Sequence, residues 1–122
     1  MSFNIILIYK PFVYLFSVNT GWTGGPYGIG NRMSIKDTRA CIDSILDGSI
    51  RDSTFSKDPT FSFDVPDFLN GVDSGILNPR NSWKDKAAYD EAMKNLAQMY
   101  TENFEKYTGK GSADYSKYGP AK

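Results

Sequence analysis

Residues 19–32 run N-T-G-W-T-G-G-P-Y-G-I-G-N-R and place five glycines and a proline directly after an apolar run and directly before a helix start signal. Glycine, lacking a Cβ, admits tight turns and close backbone approach that other side chains block. The stretch therefore reads as a structured loop, either a plain turn or an anion cradle. It also constrains its flanks: a strand must end near residue 18, and a helix must begin near residue 34.

Upstream, IILIY at 5–9 and FVYLFSV at 12–18 are β-branched or aromatic runs of strand length, split by Lys10-Pro11. That composition predicts two short buried strands rather than one helix. Downstream, Ser34 and Asp37 have capping-box spacing, and Ile35, Thr38, Ile42, Ile45 and Leu46 recur at helical intervals before Gly48. A helix over about 34–47 follows. Between Ser49 and Arg80 only short alternating pieces such as FSFDV at 61–65 stand between Pro59, Pro66, Gly71, Gly75 and Pro79, which predicts one or two short strands and much loop.

A second helix is expected over about 83–107, opened by Ser82 and Asp85 at capping-box spacing and closed by Gly109. Its stripe of Tyr89, Met93, Leu96, Tyr100, Phe104 and Tyr107 is accounted for by burial at period 3.6 and reads as core rather than as a cofactor box. The polar, Gly-rich tail at 109–122 should be flexible or loosely docked. The fold class is α/β, short strands plus two helices.

The 122 residues leave room for one domain, and 40% hydrophobic with 23% charged residues is ordinary globular usage. Fourteen basic residues balance fourteen acidic ones, so bulk charge favours neither nucleic acid nor an anionic membrane. With no histidine and only Cys41, the chain can form no intramolecular disulfide, no usual zinc ligand set and no Ser-His-Asp or Cys-His arrangement. The apolar residues 1–16 are interrupted by Lys10 and Pro11 and fall short of a membrane span, and no basic residue precedes them as a secretory signal would require. Cytosol is the expected compartment, since the final Pro120-Ala121-Lys122 is not a peroxisomal address.

Gly25 and Gly30 have the glycine spacing of a Walker A motif, but Asn31-Arg32 stand where Lys and Ser or Thr are needed for phosphate and magnesium, so the loop is not that phosphate cradle. Arg32 is either a solvated arginine or a planar, many-donor cation for a nucleotide's phosphates, ribose or base face. Lys36, Asp37 and Arg39 read as a solvated helix face, Trp22 and Trp83 as packing anchors, and Cys41 as a small core residue. No catalytic constellation is present.

The string N-T-G-W-T-G-G-P-Y-G-I-G-N-R-M-S-I-K-D-T-R-A at 19–40 closely resembles the C-terminal, nucleotide-proximal segment of ATP-dependent phosphoenolpyruvate carboxykinases. The stretches at 42–50, 58–66, 71–83, 86–90 and 95–107 look like further family segments in the right order, so the resemblance covers about residues 17–108. It implies a divergent apolar N-terminus at 1–16, a C-terminal piece of the family's mononucleotide-binding domain at 17–108 and a tail at 109–122. It further implies an enzyme that converts oxaloacetate and ATP to phosphoenolpyruvate, carbon dioxide and ADP in gluconeogenesis, using Mg2+ and Mn2+. By resemblance, Arg32 falls on an ATP-contacting arginine, Met33 on the next nucleotide-proximal position and Thr38 on an adenine-side contact. The family's P-loop, its metal-binding Lys, His and Asp and its oxaloacetate-binding arginine belong to segments upstream. The chain alone should therefore be inactive, with a parallel sheet cut open at its edges. The competing expectation is a short non-enzymatic protein that binds a nucleotide or a partner.

Overall fold

The computed structural model describes residues 5–10, 13–109, 111 and 113–121, with side chains from Tyr14 onward. Two strands, β1 (Ile5–Lys10) and β2 (Val13–Val18), pair antiparallel from Ile5↔Val18 to Lys10↔Val13. The expected break at Lys10-Pro11 thus separates them, although residues 11–12 lie outside the described set. Two further strands, β5 (Phe55–Lys57) and β6 (Asp64–Pro66), complete a sheet of order β2-β1-β6-β5.

Every described pairing in this sheet is antiparallel, which corrects the parallel sheet expected above. The connections decide it. A parallel pair needs a crossover of a dozen or more residues, whereas only two residues separate β1 from β2 in sequence and six separate β5 from β6. Asp58 shapes the second link: its Oδ1 accepts from the N–H groups of Thr60 and Phe61, while its own N–H donates to the Phe63 carbonyl. Because β2 is an edge strand it is not buried as expected: Tyr14, Leu15 and Ser17 are exposed, whereas Phe16 and Val18 are half-buried against the core.

In sequence, between β2 and β5, come a small hairpin, β3 (Trp22–Thr23) with β4 (Asn31–Arg32), and helix α1 (Ile35–Leu46). Ser34 caps α1 as the sequence predicts, its Oγ accepting from the Asp37 N–H at 3.0 Å. The reciprocal arm differs from a full capping box, since the Asp37 carboxylate accepts from the Ser34 hydroxyl instead of from its backbone. Asp37 also places a negative charge in the first turn, where the helix dipole favours it. Gly48 stops the helix in the left-handed region at φ 82°, a conformation that costs other residues a Cβ clash.

The expected apolar face of α1 is only partly the buried one. Cys41 and Ser44 are buried and Ile45 half-buried, but Ile35, Ile42 and Leu46 lie in solvent. Two apolar stripes run along this helix, and hydrophobic periodicity alone cannot say which one meets the core.

The region expected to be mostly loop holds two short helical turns, α2 (Ser74–Leu77) and α3 (Pro79–Ser82). Asp73 Oδ1 caps the first through the Gly75 N–H, and Asn78 Oδ1 caps the second through the Arg80 N–H with Pro79 at its first position. The long helix α4 (Lys86–Glu105) starts at an Asp85 cap that accepts from Ala87 and Ala88. Ser82 is not its cap, contrary to expectation; it closes α3, donating to the Pro79 carbonyl.

The core forms around two centres. Met33, Cys41, Ile50, Leu69, Val72 and Leu77 pack together beneath α1, and Tyr89 and Met93 of α4 pack with Phe61, Phe63 and Trp83. The expected α4 stripe is buried in its first half only, since Tyr100 and Tyr107 are exposed. The tail forms a short exposed helical turn at Ser116–Tyr118 and is tied to the body by the Ala121 N–H, which donates to the Thr60 carbonyl.

Lys86 ties α3 to α4. Its ammonium donates to the carbonyls of Arg80, Asn81 and Trp83 at 2.7–2.8 Å, satisfying oxygens that the end of a helix otherwise leaves without partners. Lys86→Met keeps most of the apolar stem and removes all three bonds. We expect a loss of about 1–3 kcal/mol, the scale of hydrogen bonds to a charged group, read as a lower urea midpoint at unchanged slope.

Candidate functional site

The glycine stretch is the tip of the β3–β4 hairpin. Trp22 pairs with Arg32 and Thr23 with Asn31, and the Pro26 carbonyl accepts from both the Ile29 and the Gly30 N–H groups. Gly30 cannot be replaced without movement, because a Cβ there would stand 2.5 Å from the backbone oxygens of Thr23 and Gly25. The hairpin is anchored to the second half of the chain, the Gly24 N–H donating to Ser82 Oγ at 3.1 Å. Trp22 stacks edge-on with Tyr27 at 5.1 Å, and Trp83 does the same with Tyr89 at 5.5 Å; the latter sits in the packed cluster, as an anchor should.

The three residues singled out for nucleotide contact lie on seven consecutive positions but in three environments. Arg32 is exposed at the end of β4, and among the described residues no carboxylate lies within ion-pair distance of it. Met33 is 7% exposed and belongs to the core, while its N–H donates to the Gly21 carbonyl. Thr38 is half-buried in the first turn of α1 and donates its N–H to the Ser34 carbonyl. Strand alternation explains the first two: with Met33 turned inward, Arg32 must turn outward.

Two cations elsewhere, at a cavity that Arg32, Met33 and Thr38 do not line, are by contrast engaged. A cavity of about 760 Å³ is lined in part by Lys57, Arg80, Asp90 and Lys94. Lys57 is bound to Asp64 at 2.6 Å, and Arg80 grips Asp90 through two bonds of 2.7 and 2.9 Å. The Arg80 guanidinium holds the Asp90 carboxyl below the usual range, but the pair is exposed and adds little stability. Among the described residues no group of three or more Cys, Asp or Glu side chains is gathered to hold a metal ion, and no helix is long and apolar enough to cross a membrane.

Cys41 is 0% exposed. Burial, with a smaller contribution from the Asp37 carboxylate, pushes its thiol up to about 11. A nucleophile needs the opposite environment, so the site has no thiolate chemistry.

Taken together, these features define a mixed α/β segment that presents an exposed arginine, with no carboxylate partner among the described residues, and a capped helix start beside a closely packed glycine hairpin. A family model described as phosphoenolpyruvate carboxykinase, of the ATP type, matches residues 5–75, opening upstream of residue 17, where the resemblance is read from the residues alone. The phosphoenolpyruvate carboxykinase (ATP) of Sulfurimonas denitrificans is 56% identical over 109 residues, which is 88% of this chain and 21% of that protein. Those of Campylobacter lari and Cereibacter sphaeroides are 51% and 55% identical, over 93% and 80% of this chain and 22% and 18% of theirs. The chain belongs to the ATP-dependent phosphoenolpyruvate carboxykinase family. It spans about a fifth of the length of the curated relatives it matches.

The buried acids set an alkaline limit. Tyr89 is raised to about 12, first by burial and then by the Asp58 and Asp90 carboxylates, with Arg80 opposing. Folded Cys41 and Tyr89 both hold protons that the unfolded chain releases at lower pH, so the stability they contribute is complete below about 9 and lost as pH climbs toward 11 and 12. The midpoint of thermal unfolding should fall between pH 9 and 11, and Cys41→Ala should flatten the lower part of that fall.

Proposed function

We propose that this chain is the nucleotide-positioning segment of an ATP-dependent phosphoenolpyruvate carboxykinase. Such an enzyme converts oxaloacetate and ATP to phosphoenolpyruvate, carbon dioxide and ADP, and serves gluconeogenesis in the cytosol. The observation that carries the proposal is Arg32: an exposed guanidinium with no acidic partner among the described residues, held on the last position of a hairpin that backbone packing makes stiff. A planar cation with parallel donors suits phosphate or ribose oxygens.

Met33 would serve the nucleotide through its main chain, because its side chain is committed to the core. Thr38 would supply an adenine-side contact from the first turn of α1. Phosphoryl transfer depends on alignment of donor and acceptor and on charge neutralisation, so a segment that holds the adenosine end contributes alignment alone. By the resemblance, the divalent metals and the oxaloacetate contacts of the reaction fall to segments of the family other than this one.

Two outcomes test this. The purified 122-residue chain should form no phosphoenolpyruvate from oxaloacetate and ATP in a coupled assay with Mg2+ and Mn2+ present; measurable turnover would overturn the assignment of the chemistry to upstream segments. In a full-length carboxykinase carrying this sequence, Arg32→Ala should weaken ATP binding by about 1–3 kcal/mol, the cost of losing a charged hydrogen-bonding partner. Unchanged affinity by calorimetry would remove Arg32 from the site.

A further inference from the structure

Each strand of the β3–β4 hairpin has only two residues, and a two-stranded ribbon of that size does not hold its own position in water. Its placement is set by what it touches. At the base, Met33 is buried in the cluster around Cys41 and its N–H donates to the Gly21 carbonyl at 3.0 Å. A single anchor leaves the tilt about it undetermined. The second anchor is Ser82, the last residue of α3 and fifty-eight positions from Gly24 in sequence. The Ser82 hydroxyl has one proton, which it donates to the Pro79 carbonyl at 2.8 Å, so the lone pairs of Oγ are left to accept the Gly24 N–H at 3.1 Å. The approach is close as well: Gly24 has φ 79°, a conformation open to glycine, and a Cβ on it would stand 3.4 Å from the Ser82 carbonyl oxygen.

We propose that Ser82 is a positioning residue for the nucleotide, holding the hairpin against α3 so that Arg32 stands in one place. Gly24 directly follows β3, whose Trp22 pairs with Arg32, so the Ser82 bond acts close to the backbone partner of the guanidinium-bearing residue. Ser82 is itself held. Asn78 caps α3, the Lys86 ammonium binds the carbonyls of Arg80, Asn81 and Trp83 on either side of Ser82, and Arg80 grips Asp90 of α4 through two bonds. The hydroxyl is therefore a fixed acceptor carried by the start of α4, and the hairpin is registered against that frame. Misplacing a substrate-holding group by about 1 Å can cost about a hundredfold. Arg32 holds and does not react, so here the cost falls on affinity for the nucleotide. The proposal rests on the reading of Arg32 as a nucleotide contact, and Ser82 acts through that contact without touching substrate.

The test uses a full-length carboxykinase carrying this sequence and compares it with Ser82→Ala, Ser82→Thr, Arg32→Ala and the double variant Ser82→Ala/Arg32→Ala. Ser82→Ala should raise the KM for ATP about threefold to tenfold while kcat and the KM for oxaloacetate stay within about twofold. Ser82→Thr keeps the hydroxyl and should restore the native KM for ATP. On the Arg32→Ala background the loss of the Ser82 hydroxyl should add less than about twofold, since its effect passes through Arg32. Should Ser82→Ala not fold, Ser82→Cys, which keeps the volume with a much weaker acceptor, takes its place in each comparison. Three results would overturn the proposal while leaving Arg32 in the site: a raised KM for ATP in Arg32→Ala but not in Ser82→Ala, a loss of equal size on both substrates as general loosening gives, or full multiplication of the two effects in the double variant. An unchanged KM for ATP in Arg32→Ala would instead remove the nucleotide reading, and the positioning role with it.

Discussion

Six buried side chains from separate stretches of chain meet around Cys41: Met33 ahead of α1, Cys41 within it, Ile50 in the turn after Gly48, Leu69 and Val72 in the long loop, and Leu77 of α2. The rest of the molecule is arranged by this cluster. It clamps α1 against the inner face of β2 through Phe16 and Val18, and it holds Met33 so that the hairpin enters the helix in one register. The direction of Arg32 follows from that clamp, because neighbouring residues of an extended backbone face opposite ways. A core contact thus aims a surface cation.

The cluster is also small for the sheet it serves. Apolar residues of the edge strand such as Leu15 stay in solvent, and the second centre around Tyr89 and Met93 covers only the neighbourhood of Phe61, Phe63 and Trp83. What joins the two centres is largely polar: Ser82 takes the hairpin's Gly24 N–H, and Lys86 gathers three carbonyls at the α3–α4 junction. Hydrogen bonds of this kind fix geometry strongly while adding modest net stability, since each replaces a bond to water. Positions are therefore well defined in a chain whose hydrophobic stabilisation is limited.

Much of this was legible in the residues. Ser34 and Gly48 bound α1 because a cap and a left-handed glycine act locally, and the β-branched runs before residue 18 form strands for the same reason. Choices set by distant partners were less accessible. Asp85 caps α4 in place of Ser82 because Ser82 is engaged by Pro79 and by Gly24, fifty-eight residues away in sequence. The signals for α2 and α3, Asp73 before Ser74-Gly75 and Asn78 before Pro79, were in view but belong to helices only four residues long. The buried stripe of α1 could not be read at all, since apolar residues lie on both of its sides.

That ambiguity is itself informative about the site. A helix that is apolar on two sides has its register on the core chosen by the cluster around Cys41 and not by its own periodicity. In the proposed reading the residues offered to a nucleotide, Arg32 at the end of β4 and Thr38 in the first turn of α1, flank Met33, whose burial in the cluster anchors the link between them. Alignment in phosphoryl transfer requires both ends of the donor to be held by one rigid frame. A segment that fixes the adenosine end must therefore keep its hairpin and helix start in one register, which is what the cluster around Cys41 supplies.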